Sequence, residues 1–197
     1  MAITQTGPLT KDPNRLALGL AQIRVALSTV TSGQAGYVGA YTAVLQAANS
    51  MGAMASTKLM IEREYFSHEA GFPLLQDAQL PIRENASLEC AFEEIDPLNM
   101  NIAAGKDPWT DGSGQLPIGA MELPAYVRME AHYTYPNQDS MYVIFPRAQV
   151  LSNTELDLKK EENTSATVTF KANRADSGVT GGHSVWNSCP LGRIYWS

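Results

Sequence analysis

Three histidines, two cysteines and a surplus of carboxylates are the residues of this chain with chemistry to offer. His68, His132 and His183 stand far apart. No His-x-x-x-His or Cys-x-x-Cys spacing brings two ligands onto one helix face or into one loop, as a zinc site needs. His132 falls on the polar face of a period-two stretch, and its simplest place is in solvent. Gly33, Gly36 and Gly39 imitate a phosphate loop. Their Gly-x-x-Gly-x-x-Gly spacing is not the dinucleotide fingerprint, and no Gly-Lys-Ser/Thr follows. Carboxylates are numerous enough to supply a glycosidase pair. Glu62 and Glu64 would share one strand face, and Glu93 and Glu94 would point to opposite faces; solvated surface charge accounts for all four. Ser184 lacks a Gly-x-Ser-x-Gly setting. Cys90 lies on an apolar strand face and reads as buried and inert, which leaves Cys189 as the thiol open to an intermolecular disulfide after release from a cell. The expectation is a protein that is no enzyme and has no cofactor.

The elements that hold these residues are mostly strands. Leu16–Ala26 reads as a strand with two partly apolar faces. Lys58–Glu69 mixes Ile, Tyr and Phe with charges. Ser87–Ile95 alternates, with Leu88, Cys90 and Phe92 on one face and Glu89, Ala91 and Glu93 on the other. One helix is signalled, with Asp96 as N-cap, Pro97 at N1 and Gly105 at C′. Tyr126–Tyr135 alternates again, with Val127, Met129, Ala131, Tyr133 and Tyr135 on one side. Met141–Leu151 is apolar but holds Pro146, which places it at a sheet edge or a bulge. Residues 155–159 and 165–174 form a hairpin, and Pro190–Trp196 a last short strand. The fold class is mainly β, a barrel or sandwich with one short flanking α-helix.

Composition narrows the function. The 197 residues suit one domain, here 15–197, preceded by an arm at 1–14 that carries Gly7, Pro8 and Pro13. A net charge of -6 argues against binding nucleic acid through a basic face and against an anionic membrane surface. No run reaches the ~18 apolar residues of a membrane helix, and the first residues show no secretion signal. Charged residues are 17% of the chain, against ~25% in ordinary domains, so much of the surface is expected to lie against partners. Val25–Thr57 has no charged residue at all. It reads as a long loop or hairpin, at about 27–57, that either docks on another subunit or moves freely at the surface.

Three segments carry a resemblance. Glu69-Ala-Gly-Phe-Pro73 leads through Leu80-Pro-Ile-Arg83 into Ser87–Ile95 and the helix from Asp96. Val143-Ile-Phe-Pro-Arg147 is followed by Ala148-Gln-Val-Leu-Ser152. Cys189-Pro-Leu-Gly-Arg-Ile-Tyr195 closes the chain. In this order they resemble the major tail tube proteins of long-tailed bacteriophages, over about residues 55–196 with a matching opening strand at 16–26. The family is related to contractile injection and type VI secretion tubes. The resemblance implies a tail-tube β-barrel and hexameric rings stacked around a channel for DNA. It also implies a tape-measure protein in the lumen, a sheath protein if the tail contracts, and residence in the virion tail after synthesis in the host cytoplasm. No catalytic, cofactor or metal residue is implied. Phe145, Pro146, Arg147, Pro190, Leu191, Gly192 and Arg193 would be structural motif residues. Ser32, Gly33, Gly36, Tyr37, Gly39 and Tyr41 are expected at ring-to-ring contacts. Four strands from each of six copies, ~4.8 Å apart, make a circle of roughly 37 Å, wide enough for a duplex. Glu62, Glu64, Glu89 and Glu93 are candidates for the channel wall, where negative charge would repel phosphates; the competing expectation is ion pairing between subunits with Arg63, Arg83 or Arg128. A tail terminator or secretion-type tube is the alternative identity, and a carbohydrate-binding or hydrolytic sandwich the more distant one.

Overall fold

The computed structural model describes residues 21–27, 45, 47–70, 75–107, 115–119, 123–151, 155–156 and 164–196. Among the described residues eight strands make a single antiparallel sheet: β1 Gln22–Leu27, β2 Met54–Ala70, β3 Leu75–Phe92, β4 Val127–Thr134, β5 Ser140–Val150, β6 Glu155–Leu156, β7 Ala166–Ala172 and β8 Arg193–Trp196. The order is β1-β4-β5-β7-β3-β2, with β6 on β7 and β8 on β5. The sheet curls around one apolar interior. Ile23, Val25, Leu88, Cys90, Phe92, Val127, Met129, Val143, Phe145, Val168 and Phe170 meet there, with Ile102 and Ala103 of the helix. The apolar faces predicted for β4 and β7 turn inward: Val127, Met129, Ala131 and Tyr133 are buried, as are Ala166, Val168, Phe170 and Ala172, but on β4 the intervening Arg128 and Glu130 are buried too.

The sheet is mainly β as expected but is not a closed barrel. Among the described residues no ladder joins β1 to β2. The two ends are stitched by single contacts instead. Met51 N–H donates to Ile23 C=O at 2.9 Å, Arg24 and Ser50 form an isolated bridge, and Ala21 N–H reaches Thr57 Oγ1 at 3.4 Å. Leu45 and residues 47–53 therefore line the free edge of β1, with a 3-10 turn at Ala47–Asn49 leading to Met51. Leu45 and Met51 are both buried in their own subunit, and strand begins at Met54. The uncharged segment is thus no single loose loop, since 25–27 belong to β1 and 47–57 are anchor and strand. Residues 28–44 and 46, the arm at 1–14 and all six expected ring-contact residues (Ser32, Gly33, Gly36, Tyr37, Gly39, Tyr41) lie outside the described residues.

Helix α1 spans Pro97–Ala103 with the predicted ends. Asp96 Oδ1 accepts from Asn99 N–H at 2.7 Å, which satisfies a donor that the first turn leaves open. Gly105 has φ +73°, its N–H donates to Ile102 C=O, and Lys106 N–H donates to Asn101 C=O, both at 2.9 Å. This pair of bonds is the Schellman closure that glycine at C′ permits. Asn99 Nδ2 then ties the helix to Met51 C=O and Glu94 C=O.

Two expectations need correction, and a third, open between an edge and a bulge, is decided. The strand placed at Ser87–Ile95 runs from Leu75 to Phe92, so Glu93 and Glu94 lie beyond its end, both exposed. Pro81 and the low apolar content of 76–85 hide this half of β3 from a periodicity reading. The last strand starts at Arg193, because Gly192 has φ +140° and cannot continue a ladder. Pro146 marks a bulge and not an edge. β5 is central, its register on β4 shifts between Val127↔Ala148 and Met129↔Phe145, and its other neighbour changes there from β8 to β7. A residue with no N–H costs nothing at a point where the ladder is already broken.

Candidate functional site

The most unusual feature is a ribbon. β2 and β3 pair over their full lengths, from Met54↔Phe92 to Ala70↔Leu75, but β7 covers β3 only at Ser87–Phe92. Beyond Ile61 and Ala86 the two strands leave the sheet and continue for about nine further residues on β2, roughly 30 Å at ~3.4 Å per residue. Among the described residues neither strand has another strand neighbour there. Ile61, Tyr65, Phe66, Leu80 and Ile82 are each 50% to 60% exposed. A two-stranded ribbon with wet apolar side chains and two bare edges is marginal by itself and is a template for pairing. A bulge interrupts it between Glu64↔Arg83 and Tyr65↔Pro81, where Ile82 is the extra residue, beside a proline that weakens the β3 edge. The β2 edge has no proline or glycine.

The expected wall residues fall on this ribbon and at its root. Strict alternation puts Glu62 and Glu64 on one face of β2, and the register places Lys58, Glu89, Asn85 and Arg83 on the same face. Lys58 stands opposite Glu89, and Arg83 opposite Glu64, so the face is mixed in sign and not a uniform acidic strip. Glu62 and Glu64 are exposed, while Glu89 is half-buried. Glu93 stands apart, lining an open groove with Ala53, Glu94 and Thr164. Two of the arginines considered as partners between subunits are engaged within the chain. Arg63 Nε donates to Glu84 Oε2 at 2.6 Å on the opposite ribbon face, and Arg128 is buried with Glu130.

That second pairing belongs to a cluster invisible to the sequence reading. Arg128, Glu130 and His132 alternate along the outer face of β4, predicted to be solvated. Glu130 is fully buried and Arg128 only 8% exposed. Arg128 Nε donates to Glu130 Oε1 at 2.7 Å, His132 Nε2 lies 2.8 Å from Oε2, and Leu45 N–H donates to Oε2 at 2.7 Å. Arg24 Nη1 donates to Leu45 C=O. Burial alone would raise the Glu130 pKa. The hydrogen bond with His132, the Arg128 charge and the Leu45 N–H outweigh it and hold the carboxyl below its ordinary value. His132 is therefore half-buried and engaged, contrary to its expected place in solvent. Its ring meets Tyr142 edge-on at 4.7 Å, and Tyr142 stacks on Tyr195 at 4.8 Å.

The cover over this face is the Gly- and Ser-rich stretch after β7. Ala175 and Trp186 pack on Ile144 as a second apolar cluster, with Cys189 at its margin. Asp176 organises the turn, accepting from Gly178 N–H at 2.8 Å and from Arg174 Nε at 2.6 Å. A side chain at Gly182 would collide with Asp176 C=O at 1.8 Å, so glycine is required for this closure. The motif residues all have structural work. Phe145 is in the main core and Leu191 packs against it. Pro146 sits in the bulge, and Arg147 lies over the Tyr126 ring at 3.7 Å. Pro190 C=O accepts from Ala175 N–H at 2.9 Å. Gly192 lets the chain pass Ile144 C=O, and Arg193 lies over Trp186 and Tyr195.

Among the described residues no group of three or more His, Cys, Asp or Glu could hold a metal ion. No helix there is long and apolar enough to cross a membrane. No protein-family model matches the chain, and no curated protein matches it either.

Proposed function

We propose that this chain is a structural subunit whose copies form hexameric rings stacked into a tail tube for DNA, with a tape-measure protein in the lumen before ejection and the virion tail as its residence. The observation that carries the reading is the ribbon of β2 and β3. Its apolar side chains and bare edges gain little inside one subunit, and contact with a further copy would bury them. The open sheet supports it too, because an array of identical copies satisfies edges that one copy leaves unmet. In this reading the face with Glu62, Glu64 and Glu89 lines the bore, with Lys58 and Arg83 moderating its charge.

The test is sedimentation velocity with negative-stain microscopy on the full chain. Rings and tubes of uniform bore support the reading. Single rings that never stack indicate a terminator-type component instead. Monomers at all concentrations overturn the assembly reading.

A further inference from the structure

The strap, Leu45 with residues 47–53, is held by two anchors of different physical kind. The inner anchor is apolar and laddered. Met51 is 1% exposed within the main core, its N–H donates to Ile23 C=O at 2.9 Å, and its C=O accepts from Asn99 Nδ2 at 3.0 Å. The outer anchor is clasped at its backbone by charged groups, around a Leu45 side chain that is itself fully buried. The Leu45 N–H donates to the Glu130 carboxylate and its C=O accepts from the Arg24 guanidinium. Arg24 also reaches Gln22 Oε1 at 2.9 Å, and the register sets Arg24 directly across from Glu130. The ionisable groups around that carboxylate are Arg24 on β1, Arg128 and His132 on β4, Tyr142 on β5, and Arg193 and Tyr195 on β8. The nearest of them are cationic or proton donors, so the site is built for an anion.

We propose that Glu130 is an electrostatic lock on the outer end of the strap: ionised, it fastens Leu45 to the sheet, and neutralised, it frees Leu45 and the Ala47–Asn49 turn while the anchor at Met51 and the sheet beneath stay in place. Release follows the state of the carboxylate, whose Oε2 also lies 2.8 Å from His132 Nε2. The lock is independent of the tube reading, because every residue in it belongs to one subunit.

Amide hydrogen exchange by NMR on the full chain tests this. In Glu130→Gln at neutral pH, Leu45 amide protection should fall about 10- to 100-fold, the range for a lost charge-assisted bond. Met51 and the β4 amides should keep theirs. Should that variant fail to fold, Arg128→Met with Glu130→Leu replaces the buried pair by apolar side chains of similar size, a change that buried ion pairs tolerate; the same split between Leu45 and Met51 is expected. In the wild-type chain, exchange corrected for intrinsic rates should show Leu45 losing protection before Met51 as pH falls below the ordinary carboxylate range. Equal protection of Leu45 in variant and wild type overturns the lock. So does loss of Leu45, Met51 and β4 protection together, which would make Glu130 a general stabiliser.

Discussion

Cutting off the ribbon separates folding from assembly. Arg63 and Glu84 are register partners joined by a 2.6 Å ion pair, so replacing residues 64–83 by Asn-Gly closes a two-residue hairpin turn between them. The main core has no member between Arg63 and Glu84; its nearest members are Ala86 on β3 and, packed against it, Leu59 on β2. The removed side chains Tyr65, Phe66, Leu80 and Ile82 keep half or more of their surface in water. Their partial burial is offset by the ~1–2 kcal/mol per residue of backbone entropy that ordering the ribbon costs. We predict a net change within about 1 kcal/mol, a shift of roughly 2–4 °C in Tm. Phe170→Ala, by contrast, empties a fully buried site and should cost about 3–5 kcal/mol. Thermal unfolding by circular dichroism measures both, and sedimentation measures assembly. The shortened chain should fold and stay monomeric. An unfolded shortened chain would refute the claim that the ribbon stands outside the core. Normal tubes from it would refute its role in assembly.

Other predictions concern single groups. Gly192→Ala forces a Cβ to 2.2 Å from Ile144 C=O at φ +140°, and should destabilise by about 1–3 kcal/mol or more in urea titrations; an unchanged midpoint would contradict the close approach. Because Glu130 is held below the ordinary carboxylate value, the unfolded chain takes up a proton there at higher pH than the folded one. Its contribution is complete above the unfolded pKa and is lost as pH falls through the folded pKa; Glu130→Gln should therefore flatten the acid limb of a Tm-versus-pH curve, and an unaltered limb would count against it. Burial, and secondarily Glu89, pushes the Cys90 thiol up to about 12, so at neutral pH iodoacetamide should label at most Cys189 in the folded chain and both cysteines in denaturant. Native labelling of Cys90 would show that β3 opens.

The local signals read well from sequence wherever one residue type answers one local need. Asp96, Pro97 and Gly105 specify the helix because capping is decided within four residues of each end. The inward faces of β4 and β7 are legible because their apolar residues recur at every second position. What escaped depends on distant neighbours. Residues 78–85 pair with β2 and not with β7, and none of them is buried, so polar residues and Pro81 sit there freely. Arg128, Glu130 and His132 look like a solvated face until the strap and the 174–192 cover arrive from elsewhere in the chain. A charged or titratable residue at every second position of the strand is the one hint that the sequence offers. Likewise the acidic residues assigned to a wall gave no notice of Lys58 and Arg83 across the ladder, because register is a property of two strands together.

The most direct measurement is a near-atomic electron-microscopy reconstruction of the full chain at assembly concentrations. The account predicts a hollow cylinder in which Ile61, Tyr65, Phe66, Leu80 and Ile82 are buried against a neighbouring copy, around a bore wide enough for a duplex. A reconstruction or scattering profile of isolated subunits, with those five side chains still in water, would contradict it.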